Sequence, residues 1–206
     1  MLYSVNVSNF LPTGLTEMIH FFFDNLLSVT AIACPFIAVA FLTAFLCRRR
    51  RQRHFNWLWS LACAGFMISL VNIFWNTVSF TPFTYGFELH KENINLIPII
   101  SIVKMITFLM TDSHISFTII NLFGNILFFL PVGFLLPFLS QKFERAWKTI
   151  FFGGLLSLLI EVWQLFLPRG TDIDDIILNT LGTALGYCLF WIITKLFPKF
   201  VARVRD

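Results

Sequence analysis

Charge is scarce in this chain. Asp, Glu, Lys and Arg make up 13% of its 206 residues, against 57% apolar, whereas a soluble domain carries about 25% charged residues. That is too little polar side chain to cover a water-soluble globule. The mean hydropathy of +0.79 agrees, so the composition predicts an integral membrane protein. Cysteine is sparse too. Cys34, Cys47, Cys63 and Cys188 lie in or at the ends of apolar runs, with no CxxC spacing, and they suggest neither a metal site nor a disulfide framework. MLYSVNVSNF lacks a basic segment and a small-residue cleavage site, so no removable signal peptide is expected. Neither H-E-x-x-H nor G-x-S-x-G occurs, which removes a common zinc-hydrolase signature and a common serine-nucleophile signature. No internal repeat argues for an alternating-access transporter. No linker divides the chain, and residues 1–206 read as a single membrane domain.

What the chain has in quantity is apolar length. Its 27 Phe residues suit a lipid-facing surface. A spanning helix needs about 20 predominantly apolar residues, and five segments meet or nearly meet that: 24–47, 56–79, 119–139, 148–167 and 174–197. A sixth stretch, 94–110, is shorter, has Pro98 near its start and holds Lys104 in its middle. The basic residues decide its role. With five spans and RRRRQR in the cytoplasm, twelve of the fifteen Lys and Arg residues fall inside, leaving Lys91, Lys104 and Arg169 outside. A sixth span would turn the later clusters outward, against the positive-inside bias. The expected fold is therefore all-α, an integral membrane helical bundle of five transmembrane helices. Its N-terminus would lie outside and its C-terminus in the cytoplasm. Segment 94–110 would be an interfacial or re-entrant segment on the outer face, packed against protein. The net charge of +4 then reads as topology and attraction to anionic lipid, with no nucleic-acid partner.

Polar residues inside the spans gather at one level. Glu161 lies six residues before Leu167, about 9 Å below the outer end of the fourth span at a helical rise of about 1.5 Å. Gln164 shares its face. Asn121 and Asn125 are four apart on the third span, with Asn125 at about the same depth. Asp172, Asp175, Asn179, Gly182 and Gly186 follow one stripe of the fifth span, and Asp174 falls off it. A charge at membrane depth costs about 2.5–3.5 kcal/mol on insertion scales, so three helices with polar groups at one level point to a shared polar pocket. Gly124, Gly133, Gly182 and Gly186 would let backbones approach around it. Arg169, after the helix-ending Pro168, can reach Glu161, Asp172 or Asp175, and a guanidinium can hold two carboxylates or a phosphate. Taken singly, Asn72, Asn76 and Asn121 read as interhelical hydrogen-bonding residues, and Asp24 as interfacial.

Four motifs occur in a fixed order. They are NLIP (Asn95, Leu96, Ile97, Pro98), N-x-x-x-N with P-x-G (Asn121, Asn125, Pro131, Gly133), E-x-x-Q (Glu161, Gln164) and R-x-x-D-x-x-D-x-x-x-N-x-x-G (Arg169, Asp172, Asp175, Asn179, Gly182). Each is short, but their order and spacing together are specific. Over about residues 93–190 the chain resembles the VanZ family, the teicoplanin-resistance proteins of Gram-positive bacteria; the first two spans carry no matching motif. The resemblance implies low-level resistance to teicoplanin-type lipoglycopeptides with little effect on vancomycin. It equally admits a housekeeping role in the cell envelope.

Two functional classes follow. In the first the protein binds or shields at the envelope surface. Its ligand-binding residues would be Asn121, Asn125, Glu161, Gln164, Arg169, Asp172, Asp175 and Asn179. Its partners would be membrane lipids together with a lipid-linked peptidoglycan precursor or a lipoglycopeptide. In the second it is a membrane enzyme acting on such a precursor or drug, with Glu161 as general base and Asp172 or Asp175 as partner. Carboxylates can also hold a divalent cation, but the DIDD run lacks the EF-hand spacing. His90 and His114 sit on the long 80–118 connection as surface residues, so neither a metal nor a cofactor is expected.

Overall fold

The computed structural model describes residues 56–77, 94–111, 115–167 and 170–205, together with Ala38 and Leu42, which are helical and exposed. The rest of the expected first span, 24–47, lies outside the described residues, as do His90, His114, Pro168 and Arg169. So do the side chains of Met105 and of residues 108–111 and 115–122, Asn121 among them.

In chain order the elements are α1 (Trp57–Thr77), β1 (Ile94–Asn95), α2 (Ile100–Thr111), α3 (Ile115–Leu139), a 3-10 turn (Gln141–Phe143), α4 (Ala146–Gln164), β2 (Thr171–Asp172), α5 (Ile173–Leu196) and α6 (Pro198–Arg205). Helices α1, α4 and α5 are long and apolar enough to cross a membrane. They occupy three of the expected spans. Helix α3 covers the expected 119–139 as a 25-residue helix, apolar from Phe123 to Leu139. The 94–110 segment does not form a spanning helix. Its helix α2 has 12 residues, about 18 Å at the helical rise.

Three features depart from the sequence reading. Helix α4 ends at Gln164, and Leu165–Leu167 form a turn. The fold is all-α as expected, but it carries one unexpected two-residue parallel pairing in which Ile94 faces Thr171 and Asn95 faces Asp172. Helix α6 was not expected. It is eight residues long, too short for any spanning criterion.

The bundle is organised around α3 and α5, the most extensive helix pair; α4 packs on α5, and α1 on α3. Glycine explains the closeness. A Cβ on Gly182 would run into the Ile126 carbonyl, one on Gly186 into the Leu130 carbonyl, and one on Gly133 into the backbone of Thr183. Ile126 lies against Gly182 and Leu130 against Gly186, so the two helices run parallel. Helices in lipid gain no hydrophobic driving force from one another, and such backbone proximity supplies van der Waals contact instead. Phe129, Val132, Ile73 and Ile160 fill the space between α1, α3 and α4. Outward, Leu61, Phe74, Leu127, Phe151, Leu159 and Leu189 are exposed, as suits a surface in contact with lipid.

The molecule has two chemically different ends. At one, the C-termini of α1 and α4 meet the N-terminus of α5. At the other, α6 closes the bundle against α1, α3 and α5. Val201 and Val204 of α6 are buried with Phe138 and Phe190, and the two rings meet edge-on at 5.0 Å. Asn56 joins two helix ends. Its Oδ1 accepts from the Trp59 N–H at 3.1 Å, capping α1, and its Nδ2 donates to the last carbonyls of α6, those of Arg203 and Val204. Arg205 donates to the Pro137 carbonyl at 3.0 Å and pairs with Glu144 at 2.8 Å.

Replacing Gly186 by Leu should push α3 and α5 apart and destabilise the fold by about 1–3 kcal/mol or more. Thermal unfolding in detergent reads this. Gly124→Ala is the control, because among the described residues a Cβ there meets only the Phe128 ring at 3.8 Å and should be tolerated. Asn56→Ala should cost about 1 kcal/mol through the lost cap and release α6, seen as faster tryptic cleavage at Lys199 and Arg203.

Candidate functional site

The first turn of α5 carries three aspartates, and each has a different job. Asp172 is the N-cap, in extended conformation (φ −130°, ψ 123°), with its carboxylate accepting from the Asp174 N–H at 3.0 Å. Its own N–H donates to Glu161 Oε2 at 3.0 Å, and its Oδ1 accepts from Asn95 Nδ2 at 3.0 Å. Asp175 accepts from Asn125 Nδ2 at 2.6 Å, tying α5 to α3. Asp174 is the most deeply buried of the three, 1% exposed. It reaches a different helix, accepting from the backbone N–H groups of Ile99, Ser101 (2.8 Å) and Ile102 (3.1 Å) at the start of α2.

Asp174 is thus the cap that α2 does not supply for itself. The first N–H groups of a helix have no partner within it, and leaving them buried and unpaired costs about 1–3 kcal/mol each. A carboxylate at that position also opposes the positive end of the helix dipole. The approach to it is strained. Ile99 has φ of 69°, which a β-branched residue rarely adopts. Asn95 shapes the turn that leads there. Its Oδ1 accepts from the Ile97 N–H at 3.1 Å, while Nδ2 also reaches Ser101 Oγ at 2.9 Å. The NLIP motif is therefore one half of a clasp, and the Asp172–Asp174 turn is the other.

Glu161 and Gln164 lie one turn apart on α4, 3% and 2% exposed. Gln164 Nε2 donates to the Thr77 carbonyl at the end of α1, 3.2 Å away; its Oε1 has no hydrogen-bond partner among the described residues. Deeper in the bundle, Asn179 Nδ2 donates to Ser157 Oγ at 2.8 Å. Asn179 Oδ1, likewise buried, has no partner among the described residues.

Of the eight expected site residues, Glu161, Asp172, Asp175, Asn125 and Gln164 are placed where α1, α3, α4 and α5 meet at one end. Asn179 lies about one turn farther along α5, paired with α4. Arg169 and the Asn121 side chain lie outside the described residues. Sequence reasoning left out Asp174, Asn95, Ser101 and Ser157. Asp174 was set aside because its position is off the α5 stripe. Its partners lie more than seventy residues earlier in the chain, and helical periodicity carries no trace of such a contact. Among the described residues no three His, Cys, Asp or Glu side chains are grouped to hold a metal ion.

Four acidic groups at the membrane end of a bundle would ordinarily repel. Here they stand at the N-termini of α5 and α2, where the helix dipoles and free N–H groups favour negative charge. The arrangement fixes the β1–α2 segment over the bundle end. It also leaves two amide oxygens able to accept hydrogen bonds.

No curated protein and no solved structure matches this chain. The family model described as VanZ/LLP1 matches residues 66–194. That range runs from within α1 almost to the end of α5 and holds the whole Asn95–Asp172–Asp174 clasp, Glu161, Gln164 and the glycine-lined α3–α5 contact. It covers well over half of the chain, which belongs to the VanZ/LLP1 family.

Proposed function

We propose that this protein is a five-span envelope protein that binds or shields a lipid-anchored molecule at the outer leaflet. In that role it would give low-level protection against teicoplanin-type lipoglycopeptides. The observation that carries the reading is the convergence of buried polar side chains from α4 and α5, joined by half-buried Asn125 of α3, at one end of an otherwise apolar bundle, with Gln164 Oε1 unpartnered among the described residues. That atom is an acceptor, as is Asn179 Oδ1. A ligand that completes them brings donors, such as the amides and hydroxyls of a peptidoglycan precursor or of a glycopeptide. Arg169, adjacent in sequence, would meet a phosphate or carboxylate.

The orientation follows from charge. Lys142, Arg145, Lys148, Lys195, Lys199, Arg203 and Arg205 all belong to the end closed by α6, and the RRRRQRH stretch immediately precedes α1, whose first residue lies at that end. The positive-inside bias puts this end in the cytoplasm and the polar cluster outside. Segment 94–111 then covers the outer end of the bundle as a platform. Against the catalytic alternative stands the bonding of Glu161, whose Oε2 accepts from the Asp172 N–H. That bond commits one carboxylate oxygen of Glu161 to the start of α5.

Drug susceptibility in a sensitive Gram-positive host tests the reading. The wild type should protect against teicoplanin and leave vancomycin sensitivity nearly unchanged. Glu161→Gln keeps an acceptor for the Asp172 N–H and removes the charge, so it should insert at normal levels and lose the protection. Equal protection by both forms would reduce Glu161 to a structural tie. Asp174→Ala uncaps α2 and should lower the melting temperature in detergent, at about 1–3 kcal/mol, whatever the function.

A further inference from the structure

The end closed by α6 has a surface that neither the family nor the outer site explains. Lys142, Arg145, Lys195, Lys199 and Arg203 are all exposed there. Among the described residues one acidic side chain stands at this end, Glu144, and Arg205 already holds it at 2.8 Å. The excess positive charge is therefore not neutralised within the described structure. On α6 the charges are ordered. Val201 and Val204 point into the bundle, while Lys199 and Arg203, four residues apart, share the outward face. Large apolar side chains lie beside these cations. Phe197 and Phe200 are 59% and 46% exposed, and Trp147 and Trp191 more than half exposed. Lys148 and Lys195 lie over the Trp147 and Trp191 rings at 5.6 and 5.8 Å.

Cations and exposed aromatic rings at one level are the composition of a membrane–water interface. A protein partner would cover the rings and leave the cations needing matched acids. An anionic headgroup layer takes both at once, rings at the acyl boundary and cations at the phosphates. We infer that this end is a binding surface for anionic phospholipid, with α6 as a basic foot seated on the headgroups by Lys199 and Arg203. The inference does not depend on what the opposite end binds.

Lipid retention on the purified full-length chain tests it. The protein in mild detergent is titrated with phosphatidylglycerol or phosphatidylcholine, and bound lipid is counted by native mass spectrometry. Phosphatidylglycerol should be retained in preference, and the preference should fall as salt rises. The Lys199→Gln/Arg203→Gln double variant, with unfolding temperature unchanged, should lose about fivefold in affinity per cation removed. If that variant does not fold, Lys142→Gln with Lys195→Gln should shift retention in the same direction. Lys104→Gln, in α2 and away from this end, should leave retention as in the wild type. Equal retention of the two lipids, or full preference in a folded double variant, would overturn the proposal. So would displacement of the lipid by free glycerol phosphate at matched concentration, which would assign the surface to soluble phosphates.

Discussion

The register of α3 against α5 sets most of what happens at the polar end. Two contacts show how. Gly133 meets the Thr183 backbone, and Asn125 bonds Asp175. Both pairs are fifty residues apart in the chain, and the second lies eight residues earlier on each helix. Eight residues are about 12 Å along an α-helix, so the glycine contact deep in the bundle fixes how Asn125 meets Asp175 two turns above. Side chains larger than hydrogen at Gly182 or Gly186 would hold the backbones apart. A 2.6 Å bond between two short side chains does not survive such a shift.

The second constraint is the one a membrane places on every backbone group. A helix that starts near lipid needs partners for its first N–H groups, because water is not freely available. Helix α5 supplies its own cap in Asp172. Helix α2 borrows one, Asp174, from that same turn. Two helix starts are thus satisfied by residues two positions apart. The acids that look excessive in the sequence are matched to donors that hydropathy does not display. The parallel pairing of Ile94–Asn95 with Thr171–Asp172 holds the two turns side by side, so the clasp closes from both segments.

Much of the bundle was legible because lipid imposes length and composition on each spanning helix directly. Helices α1, α3, α4 and α5 lie within a few residues of the apolar runs that announce them, and α2 is short, as the charge distribution required. Helix α6 was illegible for the opposite reason. It buries two valines in eight residues and is otherwise polar, so no window meant for spans could register it. The site was half legible. Glu161, Gln164 and Asp172 stood out as polar residues in apolar surroundings, a local property. Asp174 is defined by what it touches across the fold, and one-dimensional spacing says only that it lies off the stripe of Asp172 and Asp175. The NLIP motif could be matched as a pattern, but the task of Asn95 emerges only when Asp172 and Ser101 are seen beside it.

The bonding at the polar end also limits what kind of ligand can enter it. Asp174 is committed to three N–H groups, Asp172 to two donors, and Asn125 to Asp175. A ligand that competed for these would have to break the clasp, at a cost of several buried hydrogen bonds of about 1 kcal/mol each. The oxygens of Gln164 and Asn179 carry no such commitment among the described residues. Both accept and neither donates. A donor-bearing group, an amide N–H or a hydroxyl, gains there without disturbing the scaffold, whereas an anionic group placed against the same oxygens would be repelled. The sequence places Lys91, Lys104 and Arg169 on this side of the bundle, and in the proposed role an anionic group would be met by these cations rather than by the two oxygens. In the proposed role the ligand would thus present amide or hydroxyl donors to the two acceptors and any phosphate or carboxylate to the neighbouring cations.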